Sequence, residues 1–434
     1  MADYARNRMF FASSTALMLA VAAYMSFSLF WHAPIPAEWR VPLTCGIFLL
    51  SQSITAMRVL ITRRPDLPFA FVRAGGFVSA SFVTLSWLVL LRDALLAPFL
   101  LLSLFFPSLL PLRLRLFDAL LSIPFELGMG AAAVALAAIG MALALRVPPV
   151  RRVSVPVRGL ATELEGLRLV QLSDLHIGST FDGDWLAEVV RRVNALEPDF
   201  VLITGDLADG TPERISQHLR PLLDVRARYG VLAAPGNHDY YSGLAPWVYT
   251  WRSWGLPFLL NEHRDFRVDG RLVRVAGVTD PCAVLFRSLG PSMGPPDTRR
   301  ALRCIYTEEE QNPAASQPDT LCPRAGNEPA CRADSPAGRP APADLTILMA
   351  HRPGEAEQNA ALGVDLQLSG HTHGGQFFFL FPLVSRMNRG FRSGLYRAGS
   401  IPLYVSPGTG MWGYVPMRFG SRSEISLLEL RREN

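Results

Sequence analysis

The chain has 434 residues, half of them hydrophobic, a net charge of +5 and no lysine, so all 42 residues counted as Lys or Arg are arginines. The missing lysine excludes a GK[ST] phosphate loop and a lysine Schiff base. No basic block with interleaved aromatics points to nucleic acid, and none is expected as a partner. At this length two units are expected. Nearly all the long apolar runs fall within residues 1–145, and the mixture beyond residue 150 looks globular.

Residues 9–31 form an uncharged apolar run long enough to cross a bilayer. Residues 41–61 are a second run, with Arg58 near its end. Residues 75–111 are nearly continuous apolar sequence around Arg92 and Asp93. As one helix this run is about 55 Å long. It is therefore read as a helix that leaves the membrane or breaks at Pro98 or Pro107. Residues 118–145 end in small residues suited to close helix packing. Residues 1–149 are thus expected to be a transmembrane domain of four helices, or five, with the lipid bilayer as partner. A cleaved signal peptide is disfavoured because further apolar runs follow at once. The location expected is the cell (inner) membrane, as a multi-pass protein. With four spans, Arg6 and Arg8, then Arg63, Arg64 and Arg73, then Arg146, Arg151, Arg152 and Arg158 share one side, which charge bias makes cytoplasmic. Arg113 and Arg115 then lie on the other side. Five spans correct that and place the C-terminal half outside. The balance leans to the cytoplasmic face.

From residue 167 short apolar runs alternate with amphipathic stretches. Strands are expected at 168–174, 199–206, 230–239, 344–351, 364–371 and 422–430, with a hairpin at 266–278 turning on Asp269-Gly270. Helical spacing occurs at 184–196, where Leu186, Val189, Val190 and Val193 share a face. A second helix is read at 213–228. This order gives an α/β fold, a sandwich of mixed sheets over residues 150–434. A stretch rich in Pro, Ala and Gly at about 282–343 interrupts it, read as an insertion of low order. Cys282, Cys304, Cys322 and Cys331 fall in or beside that stretch at no zinc spacing. Disulfides and free thiols both stay open. Cys45 is read as packing.

Each expected strand near the centre of this half ends in metal-binding residue types. The tips carry Asp174 and His176, then Asp206, then Asn237, His238 and Asp239, then His351, then His371 and His373. Five of the eight histidines lie there. The other three, His32, His218 and His263, are read as ordinary surface or interface residues. Strand carboxyl ends form the edge of an α/β sheet where ligands bind, so the tips are expected to converge. Two Asp, one Asn and four His without cysteine suit two borderline or hard divalent ions: Mn²⁺, Fe or Zn²⁺. Asp206 is a natural bridge, because a carboxylate between two cations screens their repulsion. His371 and His373 sit on a turn that Gly370, Gly374 and Gly375 allow to bend.

The motifs Asp174-x-His176, Gly205-Asp206-x-x-Asp209, Gly236-Asn237-His238-Asp239, His351 and Gly370-His371-x-His373 resemble those of the calcineurin-like metallophosphoesterase superfamily. The GHTHGGQ form and the DLH opening resemble its membrane-associated YkuE- and YaeI-like branch. The layout is similar to that of transmembrane proteins with a metallophosphoesterase domain. The resemblance covers about residues 150–434 apart from the insertion. It implies an αββα sandwich and metal-dependent hydrolysis of a phosphoester. It also implies that Asp174, His176, Asp206 and His373 hold one ion, and Asp206, Asn237, His351 and His371 the other. His238 is then catalytic beside the phosphate, and Asp239 is expected to orient its imidazole. Asp209 is expected to be a capping or turn residue.

Phe377, Phe378, Phe379 and Phe381 follow the histidine turn, with Arg386, Arg389, Phe391 and Arg392 after them and Trp412 and Tyr414 near the end. This strip is read as a strand, either with one face at lipid or wholly buried. A phosphodiester or pyrophosphate borne on a lipid is therefore an expected substrate. Hydrolysis of soluble nucleotides or phosphomonoesters, and a non-enzymatic membrane sensor, are the alternatives.

Overall fold

The computed structural model describes residues 15–31, 35–63, 67–286, 293–303, 342–413 and 415–433. The chain divides into two compact units, Met1–Leu145 with Gly413–Met417, and Arg146–Trp412 with Arg418–Asn434.

The first unit is helical. Its elements are α1 (Thr15–Trp31), α2 (Ala37–Ser51), α3 (Ser53–Arg63), α4 (Phe69–Phe105), α5 (Leu110–Leu120) and α6 (Ile123–Ala144). Among the described residues, α4 and α6 are each long and apolar enough to cross a membrane. So is the pair α2 and α3 taken together, bent by 40° at Gln52. Residues 9–14 of the first apolar run lie outside the described residues. α4 runs through Pro98 and stops at Phe105, two residues before Pro107. An internal proline forfeits one backbone hydrogen bond, and this helix continues past it. Arg92 is buried and pairs with Asp93 at 2.8 Å and with Glu126. The hydroxyl of Tyr24 donates to Asp93 at 2.7 Å. The charges in the middle of α4 are thus compensated by α1 and α6, as apolar surroundings require.

The second unit contains eleven strands among its described residues: β1 (Val150–Val157), β2 (Arg168–Leu172), β3 (Phe200–Thr204), β4 (Gly230–Ala234), β5 (Glu262–Val268), β6 (Arg271–Gly277), β7 (Leu345–Met349), β8 (Leu366–Ser369), β9 (Gly394–Ala398), β10 (Ile401–Val405) and β11 (Ile425–Arg432). One sheet has the order β1-β11-β2-β3-β4, the other β5-β6-β7-β8-β10-β9. In the first, β2, β3 and β4 are parallel and β11 is antiparallel to β2. In the second, β6, β7, β8 and β10 are parallel, with β5 and β9 antiparallel at the edges. Leu169, Phe200, Leu202 and Leu232 of one sheet form a single core with Val273, Val275, Ile347 and Leu366 of the other. Both sheets are mixed, as the alternation of strands and helices predicted.

All five residues of β3 and of β7 are buried, so the outer faces of the sheets need helical cover. On the second sheet, Ala276, Leu348 and Ile401 pack with Ala301 of α11 (Thr298–Ala301) and Ala360 of α12 (Ala356–Ala360). The helix expected at 184–196 is α7 (Gly183–Asn194), numbered in chain order. Asp182 caps it by accepting from Trp185 N, and Leu186, Val189, Val190 and Val193 are buried. Asp269 and Gly270 both take positive φ, giving the expected hairpin.

Three expectations change. The second helix, α8, is Pro212–Leu219, because Pro221 lacks the N–H that would continue it and a 3₁₀ turn follows. The strand from residue 230 ends at Ala234, and Asn237–Tyr241 is a short helix, α9. α10 (Leu244–Ser253) follows. The phenylalanine strip is not a strand. Gln376 takes φ 48°, which ends any extended run, and Pro382 sits in the first turn of α13 (Phe381–Met387) after a 3₁₀ turn at Phe378–Leu380. Cys282 is buried. Cys304, Cys322 and Cys331 lie outside the described residues, as do most of the expected insertion and Tyr414.

Candidate metal centre

The residues at the strand tips come together, and their backbone shows how. Asp174, His176, Asp206, His371 and His373 all have φ between 48° and 68°. Left-handed backbone costs an L-residue roughly 1–2 kcal/mol, so five such residues in one site are held by their surroundings. The holding bonds are visible. Asp174 N donates to Gly205 O and His176 N to Asp206 O, both at 3.0 Å. Gly370 lies so close to Ser173 and Asp174 that a Cβ would overlap them, and a Cβ on Gly236 would overlap Asp206. These two glycines are there to let tips approach.

Three groups of ligand atoms lie close enough to share an ion: Asp174, His176 and His373; Asp174, Asp206 and His351; and His176, Asp206 and His238. His351 Nδ1 is 2.7 Å from Thr204 O, so its N–H donates there and its Nε2 is left as an acceptor. That Nε2 faces Asp206 Oδ2 at 3.2 Å. His176 Nδ1 lies 3.1 Å from Asp209 Oδ1, which leaves its Nε2 facing His373 Nε2 at 3.3 Å. His373 Nε2 is also 3.2 Å from Asp174 Oδ1. Nitrogen and oxygen lone pairs brought this close repel unless a proton or a cation lies between them. Asn237 Oδ1 is buried with no hydrogen-bond partner, as a ligand oxygen would be. The His371 and His351 rings meet edge-on with centroids 5.1 Å apart. The donors are oxygen and imidazole nitrogen, which fits borderline divalent ions.

The electrostatics agree. Burial works against charge on His351, but Asp206 and Asp174 outweigh it and push the imidazole up to about 10. His176 is pushed up to about 9, Asp209, Asp206 and Asp174 outweighing burial. Burial also opposes the ionised form of Asp206, yet His351 and His238 hold its carboxyl well below the usual range. Asp174 is raised, chiefly by burial. Burial pushes His371 down to about 3, helped by His351 and Arg352, and drives His373 well down, helped by His176. Buried carboxylates here draw positive charge onto their neighbours, and a site of that kind attracts cations.

His238 is partly exposed and its Nδ1 lies 2.8 Å from Asp209 Oδ1. Asp209 therefore holds both His176 and His238. It is a positioning residue, not the turn residue expected. Its place in Gly205-Asp206-x-x-Asp209 was the signal that could have shown this. Asp239 does not orient His238. Its two oxygens accept from the backbone N–H groups of Asp206, Leu207 and Gly236 at 2.8–3.0 Å, tying two strand tips together. Burial and the Asp206 charge push its carboxyl up to about 7, against those bonds. Arg418 was not anticipated. It is buried and donates to His373 O at 3.0 Å, Pro407 O and Gly410 O, and no local pattern connects it to a histidine 45 residues away. Among the three histidines set aside, His263 is buried and bonds Ala301 O, away from the cluster.

The calcineurin-like phosphoesterase family model matches residues 167–375. A transmembrane protein with metallophosphoesterase domain from Danio rerio is 36% identical over 304 residues, covering 68% of this chain and 60% of that protein. The chain thus spans about 60% of the length of the curated relatives it first matches. The uncharacterized metallophosphoesterase YkuE of Bacillus subtilis is 28% identical, over 62% of this chain and 81% of that one. A 5'-nucleotidase precursor of known structure from Thermus thermophilus aligns with 61% of this chain and 54% of that one, at 15% identity and a TM-score of 0.34. The matched segment holds every residue of the strand-tip cluster, and the chain carries a calcineurin-like metallophosphoesterase domain.

Proposed function

We propose that this protein is a membrane-anchored phosphoesterase working with two divalent cations drawn from Mn²⁺, Fe and Zn²⁺. The observation that carries the reading is the close approach of ligand-type atoms within the cluster, His351 Nε2 to Asp206 Oδ2 at 3.2 Å and His176 Nε2 to His373 Nε2 at 3.3 Å. In this reading Asp174, His176, Asp206 and His373 hold one ion, and Asp206, Asn237, His351 and His371 the other. Such ions supply a water of lowered pKa and offset the charge on phosphoryl oxygens. The chain's own part follows from its hydrogen bonds. Asp209 accepts from His238 Nδ1–H, which fixes the ring so that Nε2 is placed for proton transfer to the leaving oxygen. Asp239 keeps the Asp206 and Gly236 tips in register so that the bridge stays in place.

The substrate is a phosphate ester, and we favour a diester or pyrophosphate on a lipid. Apolar helices long enough to cross a membrane, and an aromatic and arginine-rich segment directly after the His371–His373 turn, support that choice. Residues 1–149 serve as the multi-pass membrane domain, and the arginines that flank its runs favour the cytoplasmic face for the phosphoesterase domain.

The test is metal analysis of the purified full chain with chromogenic mono- and diesters and then extracted lipids. The reading expects bound divalent ions and faster turnover of lipid phosphates than of soluble ones. Equal turnover on both would remove the lipid preference, and no metal-dependent hydrolysis of any ester would remove the reading.

A further inference from the structure

The phenylalanine strip and the arginines after it supply no ligand-type atom to the cluster, and their surface is unusual. Phe378, Leu383, Met387 and Trp412 are 62%, 54%, 74% and 51% exposed, and no residue of α13 is buried. Arg386 and Arg389 are exposed on and just after the same helix. No Asp or Glu occurs between Asp365 and Glu424, so this stretch carries positive charge only. An apolar face beside unopposed arginines has the character of an interfacial membrane element.

The segment is fastened to the metal turn. The Arg392 guanidinium lies 3.9 Å over the Phe381 ring and donates to Gly374 O at 2.9 Å. Gln376 Nε2 donates to Trp412 O at 3.3 Å, which sets Trp412 beside the strip. Five residues separate α6 from β1, and they extend about 18 Å at most. A bilayer crossed by α6 therefore keeps the start of the second unit near its surface.

We propose that Phe378–Met387 with Trp412 docks onto the surface of an anionic lipid bilayer, the apolar side chains entering the headgroup boundary and Arg386 and Arg389 meeting lipid phosphates. The contact brings the turn bearing His371 and His373 to headgroup level. It goes beyond the proposed hydrolysis and does not depend on it.

The test uses the full chain in phosphatidylcholine vesicles with and without phosphatidylglycerol, containing a photoactivatable diazirine phospholipid. Labelled residues are mapped by mass spectrometry, with α6 as the labelled reference and the exposed Leu223 as the unlabelled one. Label is expected across Phe378–Met387 in the anionic vesicles. Arg386→Gln with Arg389→Gln should lower it about five-fold for each arginine, the weight of about 1 kcal/mol per cation near an anionic surface. Labelling of α6 should not change, which shows the variant is inserted. Label no greater than at Leu223 would overturn the proposal, as would a double variant labelled like the parent. Contacts between copies at this segment in place of lipid label would overturn it too. Label reads contact without turnover, so a labelled protein that leaves lipid phosphates intact would refute the lipid substrate alone.

Discussion

Asp206 is the residue on which the most depends. It faces His351, lies 3.6 Å from His176, and accepts from His238 N. Replacing it with Asn keeps the shape and removes the charge, so both ions should be lost together, read by metal analysis. Loss of one ion alone would show that the bridge is elsewhere. His238→Ala is expected to keep metal and lower turnover about 10²–10⁴-fold, the usual weight of a positioned proton donor. Asp209→Asn should lower turnover of the same step, because the carboxylate that fixes the His238 ring is gone; unchanged turnover would contradict that role. Asp239→Ala leaves three backbone N–H groups without their acceptor. Each buried orphan costs about 1–3 kcal/mol, so a thermal melt should show a clear loss of stability. A melt like that of the parent would contradict the clamp.

Strand tips are what sequence reads well here, and the interactions behind them are what it reads poorly. The apolar runs before Asp174, Asp206 and His351 were legible as strands because their residues are buried on both faces. The polar residues that follow each run marked the edge where the tips meet. By contrast, β1 pairs with β11 across some 275 residues, and β9 and β10 carry too few periodic positions to separate them from loop. Asp239 shows the same limit at the site. Its chemical type was legible, but whether it bonds an imidazole or three amides depends on how two tips approach. The phenylalanine strip was misread because a run of aromatics suits a strand until Gln376 and Pro382 set the backbone. Gly236→Ala tests the approach itself: its Cβ would overlap the Asp206 carboxylate, and metal content should fall although no ligand is changed. Normal metal content in that variant would mean that the tips can part without harm.

On the scale of the whole molecule, the two units divide the problem. The helical unit supplies apolar length, and within it the buried Arg92 is offset by the partly buried Asp93 and Glu126. The protein is therefore expected in the membrane fraction after an alkaline wash, and release into the supernatant would contradict anchoring by spans. The sandwich unit concentrates carboxylates and imidazoles in a buried space where unlike charges attract strongly and water is scarce. That claim is tested most directly by elemental analysis of the purified full chain beside its Asp206→Asn variant. The account predicts two bound divalent ions per parent chain and a matched loss of both in the variant. A parent chain that holds no divalent ion after exposure to Mn²⁺, Fe or Zn²⁺ would contradict it.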